Sequence, residues 1–291
     1  RGYYDNIGDI RNRGVELTLQ GSIIRTRNID WSLQFNIAHN KDEILSLPAS
    51  KVGLLGGYSA DWKWYKVGGS IYNYMLPEYA GMDEKGQALY WVDADMVDPS
   101  TGASATNRPA KNHSYTTTDP NSASRYEQGS SLPKAYGGFG TTVTAYGFDF
   151  SLSFAYQLGG RIWDYTYQDL MSGQSKGAAL HVDMLNRWTP NNKNTDVPRR
   201  NIQDQAATNY SSDRWLTSSN YLSLQNITFG YTLPKTLTRK IQIDGIRVYF
   251  VADNVALLTA RKGMDPRQSY TNAQNVYSPI RTISGGISLN F

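Results

Sequence analysis

The residues of this chain that could perform chemistry are few and scattered. The absence of cysteine excludes disulfides, thiolate nucleophiles and cysteine-based zinc sites. Three histidines, His39, His113 and His181, lie far apart, and none is close to a serine or an aspartate in a recognisable nucleophile turn. Paired acids such as Asp164 with Asp169 are common on loops. We therefore expect no enzyme, no catalytic residue and no cofactor.

One acidic cluster has the composition of a calcium loop. Asp93, Asp95 and Asp98 are closely spaced, and carboxylates two residues apart could share a Ca²⁺ ion. Val97 and Asp98 stand where such a loop would have a ligand and a glycine, and no acid stands at the twelfth position. The cluster is read as a solvated acidic loop, and no metal site is assigned.

Aromatic side chains are the more informative group. The chain has 21 tyrosines and 7 tryptophans, many of them in long polar segments. Because a sugar ring presents apolar C–H faces that stack on such rings, Trp91, Trp163, Tyr165 and Tyr167 are candidate substrate-binding residues. The alternative is that these rings form an interfacial girdle or pack loops against one another.

The elements that must position these residues are long strands. Apolar residues alternate with polar ones from Val15 to Ile23 and again from Ile29 to Ile37, with a short polar turn at 26–28 between them. About nine strands are predicted in all: 13–25, 29–37, 70–80, 87–93, 135–146, 148–158, 220–232, 245–256 and 283–291. The strand at 220–232 changes phase, which predicts a bulge near Gln225 and Asn226.

Connections between these strands fall into two classes that alternate along the chain. Those near 26–28, 82–86, 147 and 234–244 are short, whereas those at 41–69, 94–134, 159–219 and 259–280 are long and polar. This pattern is typical of a transmembrane β-barrel with short turns on one side of the bilayer and long loops on the other. An odd strand number that starts from the loop side predicts that the first strands of the barrel are absent.

Composition agrees with a barrel, excludes a helical membrane protein and argues against a nucleic-acid-binding protein. The chain is 40% hydrophobic with a mean hydropathy of −0.52, and no apolar run approaches the ~18–20 residues that a membrane helix needs. The net charge of +4 comes from scattered Lys and Arg, so we expect no binding of nucleic acid. A self-standing passive porin and a soluble carbohydrate-binding β-protein remain alternatives.

Three stretches resemble the SusC/RagA-like TonB-linked outer-membrane transporters of the Bacteroidetes. The matching residues are Asn6 to Leu17 with Trp31 to Leu45, Leu132 to Phe139 with Gly147 to Ser151, and Tyr221 to Pro234 with Val248 to Asn254 and Gly263 to Pro266. The resemblance implies an all-β, antiparallel barrel of about 22 strands, of which residues 1–291 would be the C-terminal part without the plug and the first strands.

That resemblance also implies partners and a location. It implies import of an oligosaccharide or a peptide across the bacterial outer membrane, with a SusD-like surface lipoprotein and with TonB acting through the missing N-terminal region. Outer-membrane lipid, lipopolysaccharide and the barrel-assembly machinery are further expected partners. Phe291 is in phase with Ile287 and Leu289, and is expected to be an aromatic assembly signal for that machinery.

Overall fold

The computed structural model describes residues 8–52, 57–94, 112–172, 177–267, 272–273 and 277–291. Its strands are β1 (Ile10–Arg25), β2 (Ile29–Ile44), β3 (Gly57–Ala60), β4 (Lys63–Lys66), β5 (Asn73–Pro77), β6 (Tyr79–Met82), β7 (Ala88–Val92), β8 (Tyr115–Thr117), β9 (Arg125–Ser130), β10 (Ala135–Ala145), β11 (Phe148–Leu158), β12 (Arg161–Asp164), β13 (Leu216–Ser218), β14 (Tyr221–Thr232), β15 (Gly245–Thr259), β16 (Asn272–Ala273) and β17 (Thr282–Asn290).

Helices are short. The α-helices are α1 (Tyr165–Ser172), α2 (Gln205–Thr208) and α3 (Lys235–Thr238), and the 3₁₀ turns are Ala49–Lys51, Val182–Asn186, Ile202–Asp204, Asp213–Trp215 and Arg239–Ile241. No helix among the described residues is both long and apolar enough to cross a membrane.

The main element is a seven-stranded antiparallel sheet in the order β1-β2-β10-β11-β14-β15-β17. Its strands run from 9 residues in β17 to 16 in β1 and β2. They are long compared with the five or six residues usual in globular sheets, and each reaches or exceeds the ~9–11 residues that cross a bilayer at a tilt. The all-β, antiparallel fold class is therefore confirmed.

Three long segments connect strands at one end of the sheet. The first long segment (45–134) joins β2 to β10, the second (159–220) joins β11 to β14, and the third (260–281) joins β15 to β17. Connections at the other end, 26–28, 146–147 and 233–244, are short. The alternation of short and long connections is thus observed, with all the short ones at one end.

Two of the nine predicted strands lie elsewhere than expected. The segments 70–80 and 87–93 do contain strands, β5 to β7, but these belong to small sheets inside the first long segment (β3-β4-β5-β9 and β6-β7-β8). β5 is buried at four of its five residues, so it packs on both faces instead of alternating. The described sheet therefore has seven strands, and the short turn at 82–86 is a hairpin within a long segment.

The predicted bulge is present. Successive residues Ser153 and Phe154 of β11 pair with Asn226 and Leu224 of β14, so that Gln225 is the extra residue. Because one extra residue reverses the side-chain phase, Leu222 and Leu224 return to the same face as Ile227 and Phe229. The bulge keeps β14 apolar on one face along its whole length.

Candidate functional site

Strand pairing divides the seven-stranded sheet into an apolar and a polar face. Directly paired residues share a face, so the register links Leu19, Phe35, Phe139 and Phe154 across four strands. The apolar face also carries Val15, Leu17, Trp31, Leu33, Phe148, Phe150, Leu152, Ile287 and Leu289, and the opposite face carries Glu16, Gln20, Gln34 and Asn36. This sorting of side chains is the one that their period-two spacing predicts.

The apolar face is exposed in the isolated chain. Val15 is 72% exposed, Leu19 54% and Ile287 67%, and these residues lie on strands at both edges of the sheet. A contiguous exposed apolar surface of this extent marks a membrane or protein interface.

A salt bridge spans three strands of the polar face, near the short turns at 146–147 and 233–244. Arg247 on β15 reaches over β14 to Asp149 on β11, with Nε 2.9 Å from Oδ1 and Nη2 2.5 Å from Oδ2. The residue beneath the pair is Gly230 of β14, and a Cβ atom added there would lie 2.5 Å from Asp149 Oδ1 and 2.6 Å from Arg247 Nη2. Glycine at this position leaves the space in which the two side chains meet.

The first and second long segments share one hydrophobic core. Tyr74 and Leu76 from the first segment pack with Trp163, Met171, Met184, Val197 and Trp215 from the second. All seven are almost fully buried. The third segment joins them through β16, which pairs in parallel with β12. The long segments therefore form one packed assembly at their end of the sheet.

Trp163, a candidate substrate-binding residue, lies inside this core. It is 1% exposed, and its Nε1 donates to Gln168 Oε1 at 2.8 Å. The ring stacks on Trp62, with centroids 4.7 Å apart and planes 14° apart, and Trp62 is 44% exposed. In this arrangement Trp163 supports an exposed ring and has almost no surface of its own.

The other candidates differ in exposure. Tyr165 is 45% exposed at the start of α1. Tyr167 is half-buried, donates to Asp183 Oδ2 at 2.8 Å and lies beneath the Arg261 guanidinium, 3.6 Å from its ring centroid. Trp91 lies in the separate β6-β7-β8 sheet and stacks on His113 at 4.7 Å. The structure brings Trp163 and Tyr167 together and leaves Trp91 apart.

The structure also places two other residues that the sequence analysis names, Phe291 and Asp93. Phe291 follows the last residue of β17 and is 86% exposed. The prediction of a solvated acidic loop is wrong for Asp93, which is fully buried because its Oδ1 accepts from the backbone of His113 at 2.7 Å and from the Tyr126 hydroxyl at 2.9 Å. Asp95 and Asp98 lie outside the described residues.

Trp62 is one of the tryptophans in the long polar segments, but the sequence does not predict the turn between β3 and β4 in which it lies. Asp61 and Trp62 both have positive φ, 49° and 63°, and they form a two-residue hairpin turn. Left-handed backbone costs a residue with a bulky side chain roughly 1–2 kcal/mol, and such turns normally carry Asn, Asp or Gly. A tryptophan held at such a position is a signal for function that only the backbone angles reveal.

Two cations of the long segments, Lys63 and Arg267, differ in their partners: Lys63 has neutral hydrogen-bond acceptors, whereas Arg267 pairs with the carboxylate of Asp265. Lys63 donates from Nζ to the Tyr72 carbonyl (3.1 Å) and Ser131 Oγ (3.2 Å), and burial lowers the pKa of its ammonium to about 7. Burial by itself raises the pKa of Asp265, but the hydrogen bonds and charge of Arg267 outweigh it and hold that pKa below its ordinary value. Arg267 also donates to Ser223 Oγ at 2.8 Å, which ties the third segment to β14.

Known proteins similar to this chain were found by sequence and by structure. The chain is 28% identical to "TonB-dependent receptor P3" of Formosa agariphila over 98% of its own length and 29% of the relative's. It is 26% identical to "TonB-dependent receptor SusC" of Bacteroides thetaiotaomicron over 98% of its own length and 27% of that protein. No family model matches it.

Solved structures give the same result. The RagAB peptide transporter superposes with a TM-score of 0.78 and 27% identity over 99% of this chain and 30% of that one. The chain thus spans less than a third of the length of these relatives. Their names describe receptors and transporters, which agrees with the expectation that the chain is not an enzyme. In sequence and in fold, the chain is related over nearly its whole length to a segment of the SusC/RagA-like TonB-linked transporters, the β-barrels of the bacterial outer membrane.

Proposed function

We propose that this chain is the C-terminal part of the barrel wall, and part of the outer vestibule, of a TonB-dependent transporter that imports an oligosaccharide or a peptide. The observation that carries the proposal is the two-faced sheet with all its long segments at one end. In the proposal the apolar face meets lipid and lipopolysaccharide, and the polar face lines the lumen. The short turns then lie in the periplasm and the long segments outside the cell.

The remaining parts of the transporter are proposed from the relatives. Since the chain spans less than a third of their length, the plug, the TonB-contacting region and further strands that complete a barrel of about 22 are assigned to other parts of the protein. A SusD-like lipoprotein would cover the long-segment end during import, and the barrel-assembly machinery would insert the strands, with Phe291 as its signal.

Uptake by whole cells tests the proposal. We expect cells that carry the natural full-length protein to take up its nutrient only when TonB and the proton gradient are intact. Uptake should fall at least about tenfold when TonB is deleted, because an active transporter with a plugged lumen has no passive route. Equal uptake with and without TonB, following the concentration gradient, would instead identify a passive porin.

A further inference from the structure

The turn between β3 and β4 has the features of a ligand platform. The Trp62 ring lies flat on Trp163 and is still 44% exposed, so its open surface is on the side away from Trp163. Trp163 is fixed by its hydrogen bond to Gln168, and the Trp62 carbonyl accepts from the Met75 amide at 2.8 Å. The exposed ring is therefore held in place before any ligand arrives, which lowers the entropy lost on binding.

The space beside this ring has polar side chains. A cavity of about 350 Å³ is lined by Ser59, Ala60, Asp61, Trp62 and Arg125. That volume is at the lower end of the range for small-ligand sites, roughly 300–1,000 Å³. Within the described part of the chain, the Asp61 and Arg125 side chains form no ion pair or hydrogen bond with a protein group. An acceptor and a donor are thus available beside an apolar ring face.

Backbone strain at the turn supports a functional role. The positive φ of Trp62 would suit glycine better, and the ring at this position remains partly in solvent, where it gains less from burial than the tryptophans of the core do. Stability alone does not account for a tryptophan here. Strain that the surroundings maintain is commonly found at binding sites.

We infer that Trp62, Asp61 and Arg125 form a binding site for one pyranose unit of a neutral oligosaccharide. The sugar ring would stack its C–H face on Trp62, the Asp61 carboxylate would accept hydrogen bonds from hydroxyl groups, and the Arg125 guanidinium would donate to hydroxyl oxygens. One negative and one positive group balance, which favours a neutral sugar over a charged one. The inference rests on the proposed function for its outward location and narrows the substrate class to glycans.

A glycine substitution separates binding from folding. Trp62→Gly removes the ring but suits the left-handed backbone, so the turn should still form. The matched control is Tyr115→Ala, which removes another ring of the first long segment with similar exposure, 48%, that does not line the cavity. Trp62→Phe keeps an aromatic face, and Asp61→Asn tests the carboxylate.

Calorimetry on the natural full-length protein in detergent is the measurement. The probes are cellohexaose, maltohexaose and mannohexaose, with hexaglycine as the peptide probe. At least one hexaose should bind. Trp62→Gly should lower the affinity for that hexaose about tenfold, which is the value of a lost aromatic stack. Trp62→Phe should lower it by about threefold or less. Asp61→Asn should weaken the same sugar, and Tyr115→Ala should leave its affinity unchanged.

Three results would overturn the inference. In the first, a Trp62→Gly protein that still migrates as an assembled barrel binds the hexaose with unchanged affinity. In the second, that variant loses only the binding of hexaglycine. In the third, the natural protein binds none of the three hexaoses. The TonB dependence of uptake is measured separately in the same strains. Any of these three results, obtained while uptake still depends on TonB, would rule out the sugar site and leave the transporter proposal in place.

Discussion

At the scale of single residues, Gly230 shows how a side chain that is absent can be structural. The Asp149 and Arg247 side chains meet directly above it, on strands that are not neighbours. A strand residue of any other type would project into that space. The salt bridge therefore depends on the residue between its partners as much as on the partners themselves.

Gly230→Ala should separate this ion pair. The new methyl group would lie 2.5–2.6 Å from both side chains, and they would have to move apart. We expect a loss of about 1 kcal/mol in the free energy of unfolding, the usual value of a partly exposed, two-pronged ion pair. Denaturant titration of the assembled protein measures it.

Two controls make this test specific. Gly21→Ala places a methyl group where nothing lies within 4 Å, so it should leave the stability nearly unchanged. In an Asp149→Asn background, Gly230→Ala should cost much less, because the ion pair is already weakened. A full additional loss in that background would show that the glycine serves some other purpose.

The lowered pKa of Lys63 predicts that the stability of the first long segment depends on pH. Its pKa is about 7 in the folded protein and 10.5 ordinarily, so between these values the unfolded chain holds a proton that the folded chain has lost. Stability should therefore rise with pH from about 7 to 10.5. Hydrogen exchange of residues 57–77 in the natural protein, compared at pH 7 and pH 9.5 after correction for intrinsic rates, measures the rise.

Lys63→Met should flatten this dependence, because methionine carries no titrating group. Lys85→Met, which removes an exposed lysine of the same segment, should leave it as it is. If the Lys63→Met protein keeps the pH dependence of stability, that dependence arises from another titrating group.

At the scale of elements, the apolar face predicts that an arginine costs much more stability at one strand position than at the next. Leu152 and Ser151 are adjacent on β11 but point to opposite faces. Leu152→Arg, near the middle of the strand, should cost ~2–4 kcal/mol if that face meets lipid. Ser151→Arg should cost far less. The free energy of unfolding in lipid vesicles distinguishes them, and equal costs at the two positions would contradict the assignment of the faces.

Sequence predicts the strands of the sheet well because a strand with one apolar face must alternate. β11 matches its predicted range of 148–158, and even the bulge at Gln225 follows from a change of phase. The strands predicted at 70–80 and 87–93 lie in small sheets of the first long segment and not in the main sheet, since the sequence of a short extended segment does not determine which strand it pairs with. Burial of Trp163 was equally beyond the sequence, because it depends on packing between two distant segments.

At the scale of the whole molecule, the absence of cysteine allows a direct test of orientation. In the natural full-length protein with any cysteine outside this chain replaced by serine, Leu185→Cys places a thiol in the second long segment at a residue that is 80% exposed, and Arg27→Cys places one in the short turn between β1 and β2. A membrane-impermeant maleimide added to intact cells should label Leu185→Cys. It should label Arg27→Cys only after the outer membrane is permeabilised, and the reverse pattern would invert the proposed orientation.

The shared core of the long segments also sets an order of folding. Hairpins such as β10-β11 join residues close in the chain, and their loop-closure entropy is small. Core contacts between Leu76 and Trp163 or Trp215 close loops of roughly 90–140 residues, and contacts of such high sequence separation form slowly. They also require both segments to have reached the same side of the membrane. The hairpins should therefore form early and the packed assembly last, so that an incompletely inserted chain would be marked by unpacked tryptophans at its loop end.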